Sequence, residues 1–337
     1  MKLKVGLIGL GRLGKVYARD LSSRLAETRL VAVADVNAAL AAEMAAEFEV
    51  PRSYGDPRDL TSDPEVDAVV IASPTHTHKD VVAAAMESRK PTFCEKPLAL
   101  SLDECRQMKA TVEKHGTFFQ MGFMRRFDPG YAAAKRQVDE GGIGRPVIFK
   151  STSRDPFRPS LEYANPASSG GILVDMGIHD FDLARWFMGD VKTVSAIGGV
   201  LAYPEMATVG DIDNAIATLT FADGRLGVID LTRNGVYGYD ITTELLGTAG
   251  TVRVGYLRET PILTMTKSGV THDTVPYFME RFERAYTLQL QNFAQNVLKG
   301  HAPPITIDDG VEALRVALAA TVAYRSGRPV EVGSITQ

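Results

Sequence analysis

Short, continuous apolar runs separated by helical stretches fill the first third of the chain. Lys4-Val5-Gly6-Leu7-Ile8, Leu30-Val31-Ala32-Val33-Ala34, Asp67-Ala68-Val69-Val70-Ile71-Ala72, Pro91-Thr92-Phe93-Cys94 and Thr117–Met121 read as buried strands. Between them, Val16–Leu25, Ala38–Phe48, Thr77–Ser88 and Leu102–Lys114 repeat their apolar positions at helical spacing. Strands that are apolar on both faces and alternate with helices predict a doubly wound parallel sheet of the Rossmann type.

From about Arg145 the rhythm changes. Pro146–Thr152, Thr193–Val200, Asn214–Phe221, Gly227–Thr232, Thr242–Leu246, Thr251–Val254 and Ile262–Thr266 follow one another with turns rather than helices between most of them. That pattern predicts a large, mostly antiparallel open sheet. Helices are expected over Val174–Met188, Arg281–Leu298 and Asp309–Ser326. The fold class is therefore α/β followed by α+β. Two domains are expected, residues 1–122 for dinucleotide binding and 123–337 for substrate binding and oligomerisation, with the C-terminal helix able to pack back on the first. A chain of 337 residues exceeds what one core usually spans. An open sheet has a face that must be buried somehow, which predicts a homo-oligomer, a dimer or tetramer built through that face.

Composition narrows the class. The net charge is −4 and no long basic run occurs, which argues against nucleic acid or an anionic membrane as a partner. No apolar run reaches membrane-spanning length, and the N-terminus lacks a signal-peptide pattern. Cys94 and Cys105 cannot form a disulfide framework, which fits a reducing cytoplasm.

The strongest local signal is Gly9-Leu10-Gly11-Arg12-Leu13-Gly14 between the first strand and the first helix. Gly9 permits a tight turn, Gly11 lets backbone approach a pyrophosphate, and Gly14 allows close helix–strand packing. The helix N-terminus offers unpaired N–H groups and partial positive charge to the phosphates. Asp35 ends the second strand about 20 residues on, where a carboxylate accepts the hydroxyls of an adenosine ribose. That carboxylate repels a 2′-phosphate, and Val36 and Asn37 supply no compensating cation. NAD is therefore expected over NADP, with Arg12 the one residue able to soften the preference.

Two further motifs carry chemistry. Glu95-Lys96-Pro97 follows the fourth strand, and the carboxyl ends of strands border the ligand crevice of such a sheet, so Lys96 is expected at the nicotinamide end. Asp175-Met176-Gly177-Ile178-His179-Asp180-Phe181-Asp182 reads as helix, with Asp175, His179 and Asp182 on one face and Trp186 in line below. Oxidising an alcohol requires the hydroxyl proton to leave as the hydride departs. A lysine serves as base only if its pKa falls from about 10.4 toward 7–8, roughly 4 kcal/mol, whereas an imidazole needs almost no shift. His179 is thus the expected base, oriented by Asp175, while Lys96 polarises the oxygen. This assignment requires Lys96 and His179 to meet at one substrate carbon.

With these residues in place the chain resembles the glucose–fructose oxidoreductase/inositol dehydrogenase family over almost its whole length. The marks are the glycine string, Asp35, Ser73-Pro74-Thr75 with His78, Glu95-Lys96-Pro97, and the D-x-x-x-H pair Asp175 and His179. The resemblance implies that Lys96, Asp175 and His179 are catalytic. It adds Leu13, Ser73, Pro74, Thr75, His78 and Glu95 to the cofactor-binding set. Met121–Tyr131, Arg154-Asp155-Pro156 and Tyr237-Gly238-Tyr239-Asp240 look like the inositol 2-dehydrogenases of that family, which implies a polyol pocket containing Arg126, Asp155 and Tyr239. Gln289 stands where the family often has glutamate, and Ser153 where some inositol dehydrogenases have histidine.

The leading expectation is NAD-dependent oxidation of myo-inositol or a stereoisomer to the ketone. A pyranose or anhydrosugar oxidised by the same machinery is the nearest alternative. Metal chemistry through His76, His78, Cys94 and the Asp175/His179 pair is disfavoured, because H-x-H without a third ligand at recognised spacing is weak. A regulator that binds dinucleotide without catalysis is disfavoured by the presence of all three catalytic candidates.

Overall fold

The computed structural model describes residues 2–336, which divide into two compact units. The first holds the chain up to Met124 and takes in Arg284–Leu314; the second holds Arg125–Glu283 and Arg315–Thr336. The sequence placed one cut after residue 122, whereas the chain returns to the first unit for the 284–314 stretch.

The first unit is built on six parallel strands: β1 (Leu3–Ile8), β2 (Thr28–Ala34), β3 (Ser53–Tyr54), β4 (Ala68–Ile71), β5 (Thr92–Glu95) and β6 (Phe119–Gly122). Their order is β3-β2-β1-β4-β5-β6, with every neighbouring pair parallel. The chain reverses its winding between β1 and β4, so the loops after β1, β4 and β5 share the carboxyl edge where such sheets bind ligands. The helices are α1 (Arg12–Arg19), α2 (Ala38–Glu47), α3 (Pro57–Ser62), α4 (His78–Glu87) and α5 (Leu102–His115). The first helix starts four residues before the predicted Val16, directly from the glycine loop, and beyond Arg19 widens into a π-turn over Asp20–Arg24. There the buried Asp20 carboxylate is held by Arg19 and by Thr287 Oγ1 at 2.6 Å. Neither the two-residue β3 nor α3 was predicted. Proline punctuation masked both, although Asp56 caps α3 and Pro57 opens it.

The second unit opens with α6 (Pro129–Asp139), which the sequence reading also passed over. Asp128 caps it by accepting from the Gly130 and Tyr131 N–H groups, and Arg281 pairs with the other oxygen of the same carboxylate at 2.9 Å. The sheet comprises β7 (Pro146–Arg154), β8 (Val191–Gly199), β9 (Asn214–Phe221), β10 (Leu226–Thr232), β11 (Asp240–Gly247), β12 (Thr251–Val254) and, after two further strands, β15 (Val330–Glu331). Its order is β12-β11-β7-β10-β9-β8-β15. Only β7 and β10 run parallel, so the sheet is mixed and mostly antiparallel. The predicted strand at Ile262–Thr266 does not join it: β13 (Thr264–Thr266) and β14 (Gly269–Thr271) form a separate exposed hairpin.

Candidate active site

The glycine loop has the geometry its sequence demands. Gly9 sits at φ +89°, and a Cβ there would lie 2.4 Å from the Ser73 backbone nitrogen, so only glycine lets the first and fourth strand ends approach. A Cβ on Gly14 would strike the Gly9 carbonyl oxygen at 2.0 Å. A Cβ on Gly11, by contrast, meets nothing within 4 Å. That opening lies at the N-terminus of α1, whose first turn contains no acidic residue. Open space, helix N–H groups and the missing side chain together fit a pyrophosphate. Arg12 is exposed and Leu13 half-buried beside it.

Asp35 is fixed before any ligand arrives. Its Oδ2 accepts the Leu10 N–H at 2.9 Å and its Oδ1 accepts the Asn37 N–H at 2.9 Å. The remaining lone pairs suit ribose hydroxyls, and the neighbouring Val36 is 84% exposed, leaving the strand end uncovered.

His78 is held by backbone carbonyls on both ring nitrogens. It is buried, with Nδ1 2.9 Å from the Pro97 carbonyl oxygen and Nε2 2.9 Å from the Ser73 carbonyl oxygen. The ring therefore ties the loop after β4 to the Lys96-Pro97 turn after β5. Burial lowers the imidazole pKa from its ordinary value, and the carbonyls oppose that shift. Ser73 also engages Thr77 through its hydroxyl at 2.7 Å, while Thr75 opens the short turn that leads into α4. Pro74 is exposed at the edge of the same loop.

The Glu95 carboxylate is turned into the core. Tyr17 donates to Oε1, Gln289 Nε2 donates to Oε1 at 3.1 Å, and the Lys96 N–H donates to Oε2 at 3.1 Å. Gln289 also reaches the Tyr17 oxygen at 2.5 Å. Burial raises the Glu95 pKa against these hydrogen bonds. Gln289, met in the sequence only as a departure from family habit, is thus a direct partner of the acid beside Lys96. Lys96 itself is half-buried at the carboxyl end of β5.

In the second unit the Asp175/His179 pair is not carried by one helix. A short turn, Ile172–Asp175, ends at Asp175, and a new helix runs from Ile178 to Met188. The break falls at Gly177, whose N–H reaches back five residues to the Ile172 carbonyl at 3.0 Å. A Cβ there would lie 2.6 Å from the Leu173 carbonyl oxygen, so the chain closes in a way only glycine allows. Tyr163 donates to Asp175 Oδ1 at 2.9 Å, and Arg233 Nη2 lies 3.4 Å from Oδ2. The charge on Asp175 raises the Tyr163 pKa, with burial adding to it.

His179 is 8% exposed at the start of the new helix. The helix is anchored by the adjacent Asp180, fully buried, which accepts from Arg125 at 2.7 Å, Ser151 at 2.5 Å and Ser153 at 2.8 Å. Ser153, another noted departure, therefore belongs to the support of this helix. Asp182 takes a two-pronged contact from Arg126, Nε at 3.0 Å and Nη2 at 2.5 Å, and the guanidinium lies 5.7 Å from the Trp186 ring. Arg126 is thus locked by protein groups. Tyr239 is buried against Tyr277 and Phe282, its hydroxyl pKa pushed up by burial and then by Asp155. Asp155 is half-buried, its N–H bonded to the Thr232 carbonyl. Sequence reading missed Tyr163, Arg233, Arg125 and Asp180 as supports, because all four act through partners distant in the chain.

A Rossmann sheet with a pyrophosphate-ready glycine turn and a ribose acid defines a nucleotide-dependent oxidoreductase scaffold. Comparison with known families makes the assignment specific. Residues 3–123 match the oxidoreductase family's NAD-binding Rossmann fold, and residues 135–332 match its C-terminal alpha/beta domain. The chain belongs to this family, that of glucose–fructose oxidoreductase and inositol dehydrogenase. It is 39% identical over 332 residues to the scyllo-inositol 2-dehydrogenase (NAD(+)) of Bacillus subtilis, covering 98% of this chain and 96% of that one. It is 38% identical over 335 residues to the myo-inositol 2-dehydrogenase of Thermotoga maritima, covering 99% of both. Among solved structures, scyllo-inositol dehydrogenase from Lactobacillus casei with bound NAD(H) and scyllo-inositol superposes with a TM-score of 0.95 at 33% identity, covering 99% of this chain and 100% of the other. Among the described residues no helix is long and apolar enough to cross a membrane, and no group of three or more His, Cys, Asp or Glu is placed to hold a metal ion.

Proposed function

We propose that the chain is an NAD-dependent dehydrogenase that oxidises a ring hydroxyl of myo-inositol or a stereoisomer to the ketone. The observation that carries the reading is the open Gly11 cradle and Asp35 on the same sheet edge as Lys96. The full-length likeness to inositol dehydrogenases supports the substrate class.

Bound NAD supplies a hydride acceptor. Lys96 polarises the hydroxyl oxygen and steadies the negative charge that develops there. His179 takes the hydroxyl proton, and Asp175, held on both carboxylate oxygens, orients the imidazole. Asp155 and Tyr239 line the polyol pocket; Arg126 contributes to it from a guanidinium fixed by Asp182. Gly9, Gly11, Arg12, Leu13 and Gly14 cradle the phosphates, Asp35 selects NAD, and the Ser73-Pro74-Thr75 loop borders the nicotinamide side.

A substrate panel followed at the NADH absorbance band tests the assignment. Turnover with myo-inositol or scyllo-inositol is expected; turnover restricted to aldopyranoses would reject it. At equal subsaturating concentrations, NAD is reduced faster than NADP.

The outer face of the seven-stranded sheet supports an oligomer. Ile197 faces Ile216 across β8 and β9, and Leu226 and Leu246 flank Ile148 across β10, β7 and β11. Ile197, Ile216, Leu226 and Leu246 are 70%, 45%, 53% and 39% exposed within one chain. Such a surface suits burial against second copies, as a dimer or homotetramer. Cys94 and Cys105 are both buried and unbridged, which is consistent with a cytoplasmic enzyme.

A further inference from the structure

The cation that reaches Asp175 Oδ2 is itself deeply buried in the second unit. Arg233 follows the last residue of β10 and is 1% exposed. Its N–H donates to the Asp213 carbonyl at 2.9 Å, which fixes where the side chain departs. Nη2 then stands between two carboxylates, 3.4 Å from Asp175 Oδ2 and 3.6 Å from Asp211 Oδ2. Asp211 is itself 6% exposed and accepts the Ile172 N–H at 3.1 Å through Oδ1. Its pKa is raised by burial and pulled back by Arg233.

The consequence is a two-ended grip on the turn Ile172–Asp175. Asp211 holds the first residue of the turn by its backbone, and Arg233 holds the last by its carboxylate. Gly171, just before the turn, has no room for a side chain, because a Cβ would meet Asp211 Oδ1 at 2.8 Å. Stability alone does not account for such a cation. Nε and Nη1 of Arg233 are buried without a hydrogen-bond partner among the described residues, and a buried ion pair often does no better than apolar side chains of similar volume. A charged donor held at fixed length and direction, aiming one carboxylate through Nη2, does account for it.

We propose that Arg233 is a positioning residue for the reaction: with Asp211 behind it, Arg233 holds the Asp175 carboxylate in its working direction without touching substrate. The proposal rests on the reading that Asp175 is catalytic, and a double-mutant cycle separates the two. Arg233→Lys keeps the charge and gives up the length and rigidity that carry Nη2 to Asp175. It should lower kcat about tenfold while leaving NAD affinity, measured by fluorescence titration, within about twofold. In an Asp175→Asn background the same change should alter kcat by less than about twofold, because its route to the reaction is already cut. The solvent deuterium isotope effect on kcat should rise in Arg233→Lys as the proton step becomes slower. Asp211→Asn, which weakens the grip from behind, should give a smaller loss of the same kind and serves if Arg233→Lys does not fold. An equal loss from Arg233→Lys in both backgrounds, or no loss in either, overturns the proposal while leaving Asp175 catalytic. Near-normal turnover of Asp175→Asn alone overturns the catalytic reading and the proposal with it.

Discussion

Lys96 and His179 each stand next to a buried acid, and the two acids are held in opposite ways. Glu95 in the first unit is surrounded by neutral donors, the Tyr17 hydroxyl, the Gln289 amide and the Lys96 N–H. Asp180 in the second unit is clamped by the Arg125 guanidinium together with two serine hydroxyls. Glu95 holds the Lys96 N–H directly, and Asp180 anchors the helix that carries His179. Burial leaves Glu95 with a raised pKa, because the Tyr17 hydrogen bond, the nearby Lys96 charge and the remaining donors offset it only in part. The ionic shell commits Asp180 to a charge pair that neither partner can leave cheaply. The difference shows that one positional task can be met by hydrogen bonds alone or by a buried ion pair, with different vulnerabilities.

The largest effect is expected at the chemistry the two acids support. Lys96→Ala should bind NAD with little change yet lose turnover by about a thousandfold or more, roughly 4 kcal/mol of transition-state stabilisation. Unchanged kcat would remove Lys96 from the mechanism. Next, Asp180→Ala strands Arg125 in the core and should cost about 3–5 kcal/mol of stability by denaturant unfolding, against a loss below about 1 kcal/mol for Glu95→Gln. Equal losses would erase the contrast between ionic and neutral shells.

A pH series sharpens the comparison further. An acid whose folded pKa is raised lets the native state keep its proton while the unfolded chain has released it. Stability is then lost as pH rises from the ordinary value of 4.5 toward the raised one, and stays lost above it. The Glu95→Gln variant should therefore gain on the parent across that interval, as read by urea midpoints. A gap independent of pH would mean Glu95 is not titrating there. The smallest effect concerns the cofactor: Asp35→Ser should bring NADP and NAD use within about tenfold of each other, measured as the ratio of kcat/KM.

What the sequence disclosed follows from how local each feature is. The β1–glycine loop–α1 unit and Asp35 were legible because their signals lie within one short span and each glycine answers a specific close approach. The spacing of Asp175 and His179 stood in the sequence, but the mounting of the two residues did not. Helical spacing continued through Gly177, whereas the chain there closes against Leu173 and starts afresh. Helix α6 carried its start signal in Asp128-Pro129 but buries only Tyr131 and Ala134, too few positions to mark an apolar helical face. Tyr163, Arg233 and Gln289 could not have been placed, since each earns its role from a partner that only folding brings near. The same holds for the tether that the His78 ring makes between the loops after β4 and β5.

Gly11 gives an experimenter an unusual handle. Because a methyl group there would touch no atom of the protein, Gly11→Ala should melt at nearly the parent temperature. Its whole penalty should fall on whatever occupies the space beyond the loop. Occupancy of the cofactor could then be graded by the size of one side chain, giving a folded enzyme whose electron acceptor has been weakened by choice.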